Sequence, residues 1–180
     1  MSVKQRVGLA VAGLLAMGAT WGTWGTAGAA PPIVVKPSSA LISFDIPAGE
    51  ACAYPVNLEV ISGKGGAKFF ADGRAFLSSP GMVIRLTNLD TGASMTVTAT
   101  GSIHDAPTVA VGDELRWDSK FTGHNVLFGL ADQEGSLVPV LKYYVGRVTL
   151  TNVIDVNGVF SAVDIDESAA RVVDVCASLG

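Results

Sequence analysis

The residues that offer chemistry in this 180-residue chain are few: two histidines, two cysteines, and some closely spaced carboxylates. His104 stands in "SIHDAP" beside Asp105, and His124 stands in "TGHNVLF" at the start of an apolar run. Acid–base work near neutral pH would need one of them within reach of the other, of Asp105 or of Glu114. Their spacing fixes no shared geometry, so each reads as a surface or loop histidine. "DVNG" (Asp155 to Gly158) and "DIDES" (Asp164 to Ser168) place hard oxygens at alternate positions, as calcium prefers. The full loop pattern is not met, because Gly158 directly follows Asn157, and turn residues on a solvated edge account for both stretches. Neither the scattered histidines nor two cysteines lacking C-x-x-C spacing make a metal set. "GKGG" lacks the spacing of a phosphate loop, and no serine sits in a nucleophile elbow. No catalytic residue, metal or cofactor is assigned.

The aromatic residues offer binding rather than catalysis. Trp117 alternates in register with Leu115 and Phe121 in "ELRWDSKF", so its default place is a core. Tyr143 and Tyr144 are adjacent, so on a strand one faces in and the other out. If the sheet closes into a barrel, interior side chains can line a cavity, and Trp117, Phe121, Phe128 and Tyr143 are then the candidates for an apolar pocket.

The elements that must position these residues begin after an export signal. "MSVKQR" is basic, "VGLAVAGLLAMGA" is a run of apolar and small residues, and Ala27 and Ala29 form an A-x-A cleavage pattern, with the cut expected after Ala29. The 13-residue run is too short to span a bilayer, so no stable membrane anchor is expected. Loss of Lys4 and Arg6 leaves 10 basic against 16 acidic residues, a net charge of −6. That balance gives no electrostatic case for nucleic acid. In an oxidising compartment two cysteines have one intramolecular pairing, Cys52 with Cys176. A bridge closing so long a loop is worth roughly 5 kcal/mol at most.

Residues 30–40 read as an extended, Pro-rich and poorly ordered lead-in, and residues 41–180 as one β domain. "SMTVTAT" alternates apolar and hydroxyl side chains, and "DELRWDSKF" alternates again, the period of half-buried strands. Asp72-Gly73, "DTG" at 90–92 and Asn157-Gly158 are tight-turn signals. Gly129 and Gly146 stand inside strand patterns where a curved sheet needs relief. "DESAARVV" has room for one helical turn capped by Asp166, and "ARVVDVC" closes the chain as a strand. The expected fold is an all-β antiparallel meander forming a barrel or barrel-like sheet, with a two-sheet β-sandwich as the alternative.

"FDIPAGEACAYPVNLEV", "FADGRAF", "VIRLTNLDTGASMTV", "YYVGRVTLT" and "VVDVCASLG" together resemble a family of small secreted actinobacterial proteins. The resemblance runs from Phe44 to Gly180. It implies export, the Cys52–Cys176 pair and an all-β fold, and it supplies no functional residues. The reading is therefore a secreted, non-enzymatic binding domain whose partner is a small apolar ligand or an extracellular protein. One alternative is a barrel-type cyclase or isomerase, for which His124, Glu114 and Arg147 are the polar groups to inspect. The other is a structural protein associated with the cell envelope.

Overall fold

Period-two alternation governs this chain. The computed structural model describes residues 31–39, 41–131, 137–158 and 160–180, so the expected export segment lies outside the described residues. In chain order the elements are β1 (Ile33–Ser39), β2 (Ser43–Ile46), β3 (Val56–Ser62), β4 (Lys64–Phe69), β5 (Ala75–Ser78), β6 (Val83–Asn88), β7 (Ser94–Thr98), β8 (Ser102–Asp105), β9 (Val109–Val111), β10 (Glu114–Ala131), β11 (Leu137–Ile154), β12 (Phe160–Asp174) and the helix α1 (Val175–Leu179). They form two antiparallel sheets. The large one runs β1-β4-β5-β8-β10-β11-β12 with β9 added beside β10, and the small one runs β2-β3-β6-β7.

Neither sheet closes among the described residues. The large sheet ends at β1 and β12, the small one at β2 and β7. The barrel expectation is thus corrected to its two-sheet alternative, and the physical reason is connectivity. The chain leaves the large sheet after β5, makes the β6–β7 hairpin in the small sheet, and returns to the large sheet as β8. Instead of continuing as a meander it crosses between layers.

The first core lies between the sheets. Phe44, Leu58, Leu86 and Met95 face one another across β2, β3, β6 and β7, while Val60, Ile84 and Val97 form the next row of the same face. They meet Val126, Phe128 and Leu141 from β10 and β11, and Val175 and Leu179 from α1. Leu58, Leu86 and Val56 are fully buried, and each such side chain contributes about 1.5–3 kcal/mol by leaving water.

The second core belongs to the large sheet alone. Leu77, Ile103 and Phe121 are successive partners across β5, β8 and β10, and Val148 continues the row in β11. With Leu127, Tyr144 and Leu150 they form a buried cluster, completed by Ile165, Ala170 and Val172 of β12. Burial this deep on one face of one sheet requires the sheet to wrap around that face. Register shifts in the β10–β11 and β11–β12 pairs supply the local twist for wrapping.

Local chemistry explains the hairpins. Gly73, Gly92 and Gly158 all have positive φ, as the three turn signals require. Two other elements differ from expectation. Residues 33–39 of the lead-in are extended as a strand paired to β4. The helix is "VCASL" rather than a turn at Asp166, and it is capped by Asp174, whose carboxylate accepts the N–H of Ala177. The Asp166 carboxylate does accept the N–H of Ser168, but within a bulged strand.

Cys52, just before β3, and Cys176, in α1, are joined with their Cα atoms 5.5 Å apart. The bridge fastens the terminal helix to the small sheet. The Tyr54 hydroxyl donates to the Cys176 carbonyl, and the Asn88 amide donates to the Leu179 carbonyl at 3.0 Å.

Candidate functional site

The two crossovers between sheets run side by side and leave a hollow. Ser79, Pro80 and Gly81 carry the chain from β5 to β6, and Ala99, Thr100 and Gly101 carry it from β7 to β8. Small residues are needed here. The Ser79 hydroxyl lies 2.7 Å from the Ala99 carbonyl and 3.1 Å from that of Gly101, tying one crossover to the other. A Cβ on Gly101 would stand 2.2 Å from the Asn125 side chain, and one on Gly123 would lie 3.3 Å from the Gly101 Cα. The second crossover therefore rests on β10 backbone to backbone.

The resulting hollow holds about 330 Å³ and is lined by Ser78, Ser79, Pro80, Thr100, Gly101, Ser102, Thr122 and Gly123. Its chemistry is hydroxyl and peptide. Ser102 and Thr122 share a hydrogen bond of 2.8 Å, whose direction either hydroxyl can set. Each hydroxyl keeps acceptor capacity beyond that bond. No charged side chain lines the space. It can hold a polar, neutral group by hydrogen bonds, and it offers neither a nucleophile–base pair nor a ligand set for a metal.

The residues proposed from the sequence are distributed differently. Trp117 and Phe121 lie on the inner face of the large sheet, Phe121 in the second core and Trp117 half-buried opposite Asn152. Phe128 and Tyr143 lie on the other face of the same hairpin, packed with the first core. The four aromatics do not line one space. The phenol of Tyr143 pairs with His124 Nδ1 at 2.7 Å, and burial raises its pKa. Tyr144 is the inward tyrosine, fully buried, with its hydroxyl donating to Glu167 at 3.2 Å. Burial, then the neighbouring Glu167 charge, pushes its pKa well above the ordinary phenol range.

The polar groups named for an enzyme do not converge either. Glu114 is ion-paired to Arg116 at 2.6 Å near the far end of β10, ten positions before His124. Arg147 is exposed on β11 opposite Thr122. His104 lies on the outer face with its ring centroid 4.6 Å from that of Phe76. Asp155 closes a turn, accepting from the backbone and side chain of Asn157 at 2.8 and 3.1 Å. Among the described residues no group of three His, Cys, Asp or Glu side chains could hold a metal ion. No described helix is long and apolar enough to cross a membrane.

One buried polar chain escaped the sequence reading. Asn152 donates to the Ser119 hydroxyl at 2.8 Å, and Ser119 donates to Asp105 at 2.6 Å, on the inner face just beyond Phe121 and Leu150. Burial raises the Asp105 pKa, and the Ser119 hydrogen bond and the His104 charge only partly offset it. This hydrogen-bonded run of Asn152, Ser119 and Asp105 includes no histidine, so the serine has no general base within it other than that carboxylate. The signal in sequence was present but faint, since Ser119 and Asn152 interrupt apolar registers.

No protein-family model, curated protein or solved structure matches this chain.

Proposed function

We propose that the protein is an exported, non-enzymatic binding domain, and that its ligand presents neutral polar groups such as sugar hydroxyls to the hollow between the crossovers. The observation that carries this reading is the lining itself, in which serines and threonines from β5, β8, β10 and both crossovers border one open space. The disulfide supports export, since such a bond persists in an oxidising compartment. An apolar ligand is the less favoured partner, because the aromatic residues that would hold it are dispersed, Phe121 in one core, Phe128 and Tyr143 in the other, and Trp117 outside both. An enzymatic role lacks an acid–base pair at the hollow.

The experiment is an amide-resolved NMR titration of the secreted protein with neutral oligosaccharides. Binding in the hollow shifts the amides of Ser79, Gly101, Ser102 and Thr122 together and leaves the β2–β3 hairpin unmoved. Saturable shifts confined to some other surface, or none with any oligosaccharide tried, would sink the proposal.

A further inference from the structure

We infer that the outer face of the large sheet beside the hollow binds the acidic groups of a polysaccharide, an inference that rests on the hollow being the sugar site and names the ligand class further. The register sets the geometry. Lys68, Phe76, His104 and Lys120 are successive cross-strand partners on β4, β5, β8 and β10. They share the outer face, because the intervening positions Leu77, Ile103 and Phe121 belong to the inner core. The adjoining row on the same face is Gly66, Ser78, Ser102 and Thr122, three of which line the hollow. A cationic row thus runs parallel to a hydroxyl row, one strand repeat away.

At the usual spacing between strands the two lysines stand about 14 Å apart, with the rings of Phe76 and His104 between them, in contact and inclined at 58° to each other. Both lysines are exposed, and among the described residues neither takes part in an ion pair. The outer-face carboxylates lie toward β11 and β12, away from Lys68, with Asp118 two positions from Lys120. Asp118 accepts the Thr151 hydroxyl at 2.9 Å, and Asp166 accepts from Ser168 at 3.0 Å with the Arg147 charge nearby. Two exposed lysines without an ion-pair partner, held in one line on a rigid sheet, are free to meet an external anion.

Hydroxyls suit sugar hydroxyls, a ring suits the apolar face of a sugar, and lysines suit carboxylates carried at intervals along a polymer. An acidic peptide fits less well. Extended peptides join sheets at an edge through main-chain bonds, and this strip lies across four strands away from the edge.

The test uses the full secreted protein with three immobilised probes: polygalacturonate, neutral dextran and poly-glutamate. The expected result is binding to polygalacturonate that weakens as salt rises, with weaker retention on both other probes. Lys68→Gln with Lys120→Gln should lower the affinity for polygalacturonate about tenfold, while Arg85→Gln on the small sheet's outer face changes it less than about twofold. All variants replace exposed side chains, and matching thermal melts verify their folds. Equal binding by the double variant, an equal loss in Arg85→Gln, or tighter binding to poly-glutamate would overturn the inference. The hollow amides separate the two readings. If soluble dextran shifts them and polygalacturonate gains no affinity over dextran, the cationic row fails and the hollow stands. If polygalacturonate binds through the lysines without shifting them, the hollow fails as the sugar site.

Discussion

The two cores solve the burial problem in different ways. The core between the sheets is closed on both sides, by the small sheet and helix above and by the β10–β11 hairpin below, and it is almost wholly apolar. The second core is drawn, among the described residues, from the large sheet alone. Of the four buried polar residues among those described, Ser119, Asn125 and Asn152 sit on that wrapped inner face, and only Asn88 belongs to the first core's margin. A face that must both curl and run out toward its own ends carries polar groups near the limit of its apolar filling, each given a hydrogen-bond partner. Layered burial gives stiffness; wrapped burial gives room for polar chemistry.

The largest test of this contrast is a matched pair of leucine truncations. Leu58→Ala, in the layered core, should cost about 3–5 kcal/mol, and Leu150→Ala, in the wrapped core, about 2–3 kcal/mol, because a single sheet relaxes more readily into the space left. Urea melts of both variants check this, and equal losses would remove the distinction. Next comes the staple on the layered side. Cys52→Ala should cost about 2–4 kcal/mol and lower the melting temperature without changing the secondary structure seen by circular dichroism.

Gly123 and Gly146 are cross-strand partners in the middle of the β10–β11 hairpin, with members of the second core on both sides of them. Gly146 has φ of 131°, and a Cβ there would lie 2.5 Å from the Ala169 carbonyl oxygen. Gly146→Ala should therefore cost about 2–3 kcal/mol, against about 1 kcal/mol for Gly158→Ala, whose φ is also positive but whose surroundings are open. Thermal melts of the two variants separate backbone strain from steric contact.

The smallest effect depends on pH. Burial raises the folded-state pKa of Asp105 above its unfolded value. The folded state then holds the proton more tightly than the unfolded chain, so this group's contribution is fully present below the unfolded pKa and is lost as pH rises through the folded one. Asp105→Asn keeps an oxygen to accept from Ser119 and cannot ionise. It should match the parent at pH below the carboxylate range and become the more stable of the two as pH rises to neutral. Chemical denaturation at both ends of that window reads the difference, and a gap that shrinks with rising pH would contradict the wrapped-core account.

Much of this fold was legible wherever the cause is local. Asp72-Gly73 and Asp90 to Gly92 marked hairpins because a tight turn needs positive φ, and the strands they join do pair. Gly129 falls where the β10–β11 register shifts, and Gly146 at the close approach to β12. "DELRWDSKF" and the apolar run that follows His124 form one strand of 18 residues, since Gly123 relieves contact without ending the pairing. Asp166 fits a helix cap by its sequence, and its carboxylate accepts a backbone N–H in the manner of a cap. Pairing of Ala170 and Val172 with Gly146 and Tyr144 then overrides the local preference. The layer crossings and the β3–β6 and β1–β4 pairings were not legible, because nothing near those residues records a partner far along the chain. The hollow was missed for the same cause. Its serines and threonines are ordinary loop residues until the two crossovers meet.

The disulfide also sets how the molecule bears load. A pull on the end of the chain enters at Gly180 and reaches Cys176 within four residues. From there the force passes through the bridge to Cys52, beside the small sheet, without travelling back along β12. The long edge strand is thus spared unzipping from its free end. The 123 residues between the two cysteines form a covalent ring that cannot be drawn out, hiding a contour of about 400 Å at full extension. With the bridge reduced, that length becomes available to a pulling force only as the sheets unfold, so the same unfolding event lengthens the reduced protein far more than the oxidised one.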